Sequence, residues 1–216
     1  MSAIRLRGAT SGTTDLVAAA IAGDGVLTLP TGAGTIAKTT NLGLVPVAPT
    51  SIANSGGSAS ISANTTTFTT VTSVSLNGVF SSLYTNYRIV LECRPTTNDL
   101  SYRLRLTGTD VVGTNYSDQF MQCSGTTFSG GRRSAQTFAS LVYSANNARV
   151  ISAFDIGNPA VATTTSMLGS QVFDGSPLSV ITIASLHDVA TAYDGFTIFT
   201  PTGTVTGTVT IYGYNK

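Results

Sequence analysis

Apolar and polar residues alternate along much of this chain with a period of two. In YRIVLECR (87–94) every second residue from the first is Tyr, Ile, Leu or Cys, while Arg88, Glu92 and Arg94 lie on the opposite face. SYRLRLTG (101–108) alternates in the same way. Because successive side chains of a strand point to opposite faces, both segments are predicted to be β-strands.

The segment between these two strands, PTTNDL (95–100), has the length and composition of a hairpin loop. A hairpin would place Glu92 across from Arg103 or Arg105, and such a cross-strand ion pair contributes roughly 0.2–1 kcal/mol. The arginines of both strands would then share one face. That face is either a contact surface for a partner or a solvated sheet face, and both interpretations stay open.

Further alternating segments follow, separated by Asn-Gly, Asp-Gly and Gly-Gly pairs that are typical of turns. They are TTFTTVTSVSL (66–76), DQFMQCS (118–124), AQTFASLVYS (135–144), RVISAFDI (149–156), TTSMLGSQVF (164–173), LSVITIASL (178–186), GFTIFTP (195–201) and GTVTIYGY (207–214). Many short strands at this spacing predict an all-β protein with an antiparallel, jelly-roll-like β-sandwich. One short helix or helical turn is expected at 79–86.

The N-terminal region differs in composition from the rest. Residues 1–50 contain no aromatic side chain and three prolines, so they bury little area and are expected to form an extended β arm that needs a partner. Within the arm, DLVAAAI (15–21) and GVLTLP (25–30) predict a small hairpin, or strands that pair with other chains. Residues 51–62 are rich in Gly and Ser and predict a hinge, and residues 63–216 are expected to form the sandwich.

Charge is scarce throughout the sequence. Charged residues make up 10% of the 216 residues, the formal net charge is +1, and Ser and Thr exceed a quarter of the chain. Such a balance argues against nucleic acid or an anionic membrane as the main partner. No apolar run reaches bilayer length and residues 1–12 lack the apolar core of a signal peptide, so we expect a soluble protein made in a cytoplasm. Cys93 and Cys123 are expected to be reduced core thiols.

One segment nearly matches the consensus sequence of a phosphate-binding loop. GAGTIAKT (32–39) differs from G-x-x-x-x-G-K-[ST] only at Ala37. That motif works at the start of a long helix, whose N-terminal amides hold the phosphates, whereas TNLGLVPVAP (40–49) has a glycine and two prolines there. Nucleotide binding is therefore rejected, and no cofactor is expected.

Other catalytic patterns are equally weak. His187 is followed by Asp188, but no G-x-S-x-G segment occurs and neighbours on a strand point to opposite faces, so His187 is expected at a loop or strand end. Glu92 and Asp99 could approach each other as a glycosidase pair, yet arginine neighbours would keep Glu92 anionic and make it a poor general acid. With one His and two distant Cys, no metal site and no catalytic residue is assigned.

The arm resembles a segment common in virion proteins of tailed bacteriophages, of the form T-L-x-A-P-x-A-x-G-x-x-T-L-P-x-x-x-G-T-V/I-A. The matching positions are Thr14, Leu16, Ala18, Gly25, Thr28, Leu29, Pro30, Gly34, Thr35, Ile36 and Ala37. Ala19 departs from the pattern, which often has Pro there. The segments 79–92, 128–137 and 207–214 are similar to sequences from such phages as well.

The resemblance implies a non-enzymatic virion structural protein that assembles in the host cytoplasm as a homotrimer. Two roles follow from it: a capsid decoration (cement) protein bound to the major capsid protein, or a short tail fibre that docks on tail proteins and recognises host surface glycans. The absence of a long shaft favours decoration, and the likeness of the arm to fibre segments favours the fibre. The residues expected at interfaces are Leu16, Val17, Leu27, Leu29, Ile36, Arg88, Arg94, Arg103 and Arg105.

Overall fold

The computed structural model describes residues 3–7, 13–17, 43–97, 99–143 and 147–215. The chain divides into two compact units, Met1–Ala37 and Lys38–Lys216. In the first unit, β1 (Ala3–Arg7) pairs with β2 (Thr13–Val17) in antiparallel register. Residues 18–42, which include the second strand of the hairpin predicted in the arm and the whole phosphate-loop imitation, lie outside the described residues.

The second unit is built from β-strands joined by turns and loops. In chain order they are β3 (Leu44–Val47), β4 (Ser51–Ser55), β5 (Ser58–Ser62), β6 (Thr65–Val71), β7 (Ser73–Asn77), β8 (Asn86–Pro95), β9 (Leu100–Leu106), β10 (Thr109–Asp110), β11 (Tyr116–Ser124), β12 (Thr127–Gln136), β13 (Ala139–Val142), β14 (Val150–Gly157), β15 (Thr165–Phe173), β16 (Ser179–His187), β17 (Gly195–Phe199) and β18 (Val205–Tyr214).

These strands form two antiparallel sheets. The larger has ten strands in the order β12-β11-β16-β15-β14-β8-β18-β6-β5, with β3 also paired to β18. The smaller has six in the order β10-β9-β17-β7-β4, with β13 also paired to β9. No α-helix occurs among the described residues, so none there could cross a membrane.

The core lies between the two sheets. Apolar side chains of both sheets point inward, such as Phe154 and Ile183 from the larger sheet and Leu104 and Phe196 from the smaller one. All four are at most 1% exposed. The predicted all-β antiparallel class is therefore confirmed, and the packing of two sheets agrees with a β-sandwich.

The hairpin predicted between 87–94 and 101–108 is wrong. Strand β8 belongs to the larger sheet and β9 to the smaller one, so PTTNDL crosses between sheets instead of turning within one. Glu92 lies opposite Ile151 and Thr208, and neither Arg103 nor Arg105 is its neighbour. Apolar residues of both β8 and β9 belong to the same buried core cluster, so both apolar faces are buried without a hydrogen-bonded pairing of the two strands.

The hinge predicted at 51–62 is wrong as well. This segment contains β4, which pairs with β7 in the smaller sheet, and β5, which pairs with β6 in the larger sheet. Between them, Gly57 has a φ of +44°, and a Cβ built on it would lie 1.9 Å from the carbonyl oxygen of Thr69. The glycines therefore allow a tight passage from one sheet to the other.

Two further boundaries differ from the sequence-based expectation. Residues 44–47, expected in the arm, form β3, which pairs with β18 of the sandwich. The helical turn expected at 79–86 is a non-helical connection, with a turn at Ser82 and Leu83 that leads into β8. It is anchored by Tyr87, whose hydroxyl accepts from the amide of Ser81 at 2.7 Å.

Candidate binding surface

The larger sheet has a solvent-facing side with an unusual composition. In β15 every second residue is buried, and Ser166, Leu168, Ser170 and Val172 point away from the core. We call this side of β14, β15, β16, β11 and β12 the outer face. Its members are Ile151, Ala153, Asp155, Ser166, Leu168, Ser170, Val172, Val180, Thr182, Ala184, Leu186, Ser117, Gln119, Met121, Cys123, Phe128, Gly130 and Arg132.

A continuous row of apolar side chains crosses the outer face. The strand registers align these residues on five adjacent strands in the order Ile151, Val172, Val180, Cys123 and Phe128. Phe128 is 82% exposed and Val180 is 49% exposed. An antiparallel sheet with one solvated face normally carries polar residues on it, so this row indicates a surface made for contact.

The neighbouring row contains one large apolar residue, Met121, among smaller ones. There Ala153, Ser170, Thr182, Met121 and Gly130 are aligned across the same five strands. Met121 is 66% exposed. The result is a surface of projections and depressions, and one depression of about 600 Å³ lies between Met121, Phe128 and Val180.

A groove of about 820 Å³ lies at the other end of the outer face. Leu168, Ala184 and Leu186 supply apolar lining. Its polar lining residues include Asn86, Ser117, Gln119, Arg132, Asp155, Ser166 and Tyr214. A pocket of this size with an apolar floor and a few polar groups is typical of ligand sites, which range over roughly 300–1,000 Å³.

Asp155 is an exposed carboxylate of this groove that is already paired within the chain. The Tyr214 hydroxyl donates to its Oδ1 at 2.5 Å, and Arg88 lies 3.3 Å from its Oδ2. The hydrogen bond with Tyr214 and the charge of Asp155 raise the pKa of Arg88. The carboxylate side chain remains 50% exposed, so it can accept a further hydrogen bond from a ligand or a partner.

Beyond the outer face, on β8 and the loop before β14, Glu92 pairs with Arg149, whose Nε lies 2.7 Å from Oε1. This hydrogen bond holds the pKa of Glu92 below its usual range. The described residues contain no group of three or more His, Cys, Asp or Glu side chains that could hold a metal ion.

The arginines predicted at an interface do not share one surface. Arg88 and Arg94 lie on the exposed side of β8, whereas Arg103 and Arg105 lie on β9 of the smaller sheet. Arg105 is only 9% exposed. It donates to Asn77, Ser75, Asp110, Thr197 and Gly108.

Arg103 is held between aromatic rings. Its guanidinium carbon lies 4.3 Å from the ring centre of Phe199 and 5.9 Å from that of Phe138. Its Nε donates to the carbonyl of Thr137 at 3.1 Å. Arg103 and Arg105 therefore make contacts within the chain. Arg103 binds the segment before β13, and Arg105 binds the β9–β10 turn and the edge strand β10.

The remaining predicted interface residues belong to the first unit. Leu16 and Val17 lie in β2, opposite Ile4 and Ala3 of β1. Leu27, Leu29 and Ile36 lie outside the described residues.

His187 ends β16, as expected, and is fully buried. Its Nδ1 lies 3.0 Å from the hydroxyl of Tyr193, and the ring of Tyr116 packs against it at 4.4 Å. Burial lowers the pKa of His187. Cys93 and Cys123 are free thiols: Cys93 is buried as expected, whereas Cys123 is half-buried on the outer face.

Sequence reasoning missed most of the outer face. It did not predict a strand at 127–136, because Gly and Ser there have low strand propensity. The segment SVITI (179–183) carried a signal for an apolar outer face. Val180 and Ile181 are adjacent on a strand, so one of them must point away from the core.

Searches against protein-family models, curated proteins and solved structures found no match to this chain.

Proposed function

We propose that the chain is a non-enzymatic structural protein of tailed-bacteriophage virions, and that it decorates the capsid as a homotrimer and stabilises the head. The resemblance of the arm and of segments 79–92, 128–137 and 207–214 to phage virion proteins supports the proposal. The low charge and the high content of Ser and Thr also support it, because such a surface limits nonspecific attraction between particles.

The outer face is the observation that carries the proposal. Five adjacent strands expose an apolar row to solvent, and surfaces of this kind mark protein interaction sites. A protein that acts through assembly needs such a surface, whereas an enzyme needs a site with positioned reactive groups. Function is therefore assigned to contacts between the protein chains of the particle.

In this proposal residues 1–37 mediate trimerisation and attachment to the major capsid protein, and the sandwich projects from the shell. The division of the chain after Ala37 supports a separate role for the N-terminal unit. A symmetric trimer would supply the burial that small side chains cannot provide within one chain.

Quantitative mass spectrometry of virions from the phage that encodes the chain tests this role. Copies on the order of hundreds per particle are expected for a shell component, because the shell repeats its sites by symmetry. A few dozen copies or fewer would identify a tail appendage. Complete absence from purified virions would contradict both assignments.

A deletion tests the function of the arm. Removal of residues 1–37 stops short of β3, which pairs with β18 and belongs to the sandwich. The shortened chain is expected to keep its β circular-dichroism spectrum, lose threefold association and no longer bind particles. A truncated chain that still forms trimers would overturn the assignment of trimerisation to the arm.

The groove beside Asp155 favours a second function, glycan recognition by a short tail fibre. It combines an apolar floor with hydroxyl, amide and carboxylate groups that can hydrogen-bond to sugar hydroxyls. Calorimetric titration with host surface polysaccharide tests it. Asp155→Ala should abolish binding and Glu92→Ala, outside the groove, should not; equal binding by both variants would exclude the groove.

A further inference from the structure

We propose that the outer face packs against the outer face of a second copy of this chain, about a twofold axis that runs along β16. This inference does not rest on the virion role, because it uses only the strand registers and the exposed side chains of the sandwich. The proposal identifies a second copy as the partner that covers the apolar row. It also accounts for the positions of Asp155 and Arg132.

The arrangement of strands around β16 makes a twofold contact possible. β15 and β14 follow on one side, and β11 and β12 follow on the other. Rotation by half a turn about an axis along β16 places β15 over β11 of the second copy and β14 over β12 of the second copy. Two sheets stacked in this way have aligned strands at the axis, which falls within the aligned class of β-sandwich packing, where strand directions differ by at most about 30°.

The apolar row is self-complementary under this rotation. Val180 faces its own equivalent near the axis, Val172 faces Cys123 of the second copy, and Ile151 faces Phe128 of the second copy. The Val172–Cys123 and Ile151–Phe128 contacts each occur twice because the interface is isologous, whereas the contact between the two Val180 residues on the axis occurs once. The five exposed apolar groups of one chain are thereby covered by the same five groups of the other.

The neighbouring row pairs large residues with small ones. Met121, which is 66% exposed, faces Ser170 of the second copy, and Ala153 faces Gly130 of the second copy. Thr182 lies at the axis. The projecting Met121 side chain therefore has space above Ser170, so the two faces can approach to the usual spacing of stacked sheets, about 10 Å.

Two oppositely charged residues of the outer face also match across the proposed twofold axis. Asp155 and Arg132 are the only charged residues of the outer face, and both lie in the row that also contains Leu168, Ala184 and Gln119. Asp155 lies two strands to one side of β16 and Arg132 lies two strands to the other. The twofold rotation therefore places each Asp155 over Arg132 of the second copy.

Arg132 is available for this contact. It is exposed and makes no ion pair with any described residue. The adjacent Arg133, in contrast, points inward to Asp118. Opposite charges at mirrored positions fix the register of a symmetric contact and exclude alternatives that would bring like charges together.

The area is adequate for a stable dimer. Five strands spaced about 4.8 Å apart and about nine residues long cover roughly 700 Å² of sheet. A standard interface buries about 800 Å² per partner. The outer face therefore approaches the size of a specific interface without any contribution from the N-terminal unit.

Sedimentation of the full-length chain over a concentration series tests the proposal. Val180→Lys places two ammonium groups at the axis and should weaken association at least about tenfold. Val112→Lys is the matched control, because Val112 is 57% exposed and lies outside the outer face, between β10 and β11. Association through residues 1–37 is common to both variants, so the difference between them reports the sheet contact.

A charge exchange tests the register. Arg132→Asp and Asp155→Arg alone should each weaken the contact about tenfold or more, because each brings like charges together at two symmetric places. The double variant should recover only part of the lost affinity, because Asp155→Arg also removes the carboxylate that pairs with Arg88 in the same chain. Circular dichroism confirms that each variant is folded.

Crosslinking gives a second readout that does not depend on affinity. In a Cys123→Ser background, Val180→Cys should be joined to its equivalent by a bismaleimide that spans about 10 Å, and Val112→Cys should not. Equal sedimentation of the Val180→Lys and Val112→Lys variants, or no recovery in the folded double charge variant, would overturn the proposal. A glycan or an unrelated protein on this face would give both of these results.

Discussion

Tyr102 of the smaller sheet and Ser185 of the larger sheet meet inside the core, with their side-chain oxygens 2.8 Å apart. Tyr102 is 2% exposed and Ser185 is 6% exposed. The hydrogen bond joins the two sheets directly, and burial raises the pKa of Tyr102 to about 12, which keeps the hydroxyl neutral. A buried polar contact of this kind affects stability more than an exposed one, because removing one partner leaves the other buried without a hydrogen bond.

Tyr102→Phe should lower the free energy of unfolding by about 1–3 kcal/mol, because the hydroxyl of Ser185 loses its buried partner. Urea denaturation measures the change. The double variant Tyr102→Phe with Ser185→Ala should recover part of the loss, since no polar group is then left unpaired. Additive losses in the double variant would show that the two hydroxyls do not depend on each other.

Adjacent arginines on β12 offer a matched comparison. Arg133 binds Asp118 through two hydrogen bonds of 3.0 and 2.6 Å, and the Asp118 side chain is 2% exposed. Arg133→Ala should therefore destabilise the fold by about 3 kcal/mol, because it leaves a buried carboxylate without its cation. Arg132→Ala should change the stability of the isolated chain by less than about 0.5 kcal/mol.

Chemical denaturation at protein concentrations too low for association measures the free energy of unfolding of the two variants. Equal losses for Arg132→Ala and Arg133→Ala would contradict the inward placement of Arg133. The same pair separates folding from assembly, since only Arg132 is assigned to the contact between copies.

The all-β class could be predicted from the sequence because alternation and turn residues are local signals. Strand pairing could not, as β8 and β9 show. Each has one apolar face, and that pattern is the same whether the strands pair within a sheet or face each other across a core. The tertiary arrangement, which buries both apolar faces at once, decides between these alternatives.

The candidate site was harder to predict for a related reason. Its residues come from five strands, and only their registers show that Asp155 and Arg132 occupy one row. Alternation along 87–94 and 101–108 predicts that the arginines of these segments share one face, yet Arg105 is buried beneath the β9–β10 turn. Proximity along the chain was therefore a poor guide to a shared surface.

The two thiols should differ in reactivity. Burial raises the pKa of Cys93 to about 12, so it has almost no thiolate at pH 8, whereas Cys123 is half-buried on the outer face. With Cys123→Ser, the native chain should show no thiol that reacts with Ellman's reagent until it is unfolded. With Cys93→Ala, one thiol should react in the folded chain at concentrations too low for two copies to associate, because Cys123 belongs to the proposed contact between copies. Rapid reaction of Cys93 would contradict its place in the core.

His187 should make stability depend on pH. Its folded-state pKa is lowered by burial, and its Nε2 has no hydrogen-bond partner among the described residues. The unfolded chain, with a histidine pKa of about 6.5, therefore binds a proton first as the pH falls. The contribution of His187 is complete above about pH 6.5 and is lost at up to about 1.4 kcal/mol per pH unit until the folded pKa is reached.

Urea denaturation from pH 8 to pH 5 measures this loss, with His187→Gln as the control. The amide oxygen of Gln can still accept from the Tyr193 hydroxyl, but the side chain does not titrate, so carboxylate effects are common to both proteins. The difference in unfolding free energy between wild type and variant should be constant above pH 7. Below pH 6.5 the wild type should become less stable relative to the variant. A difference that is constant over the whole range would show that His187 can be protonated in the folded state without cost.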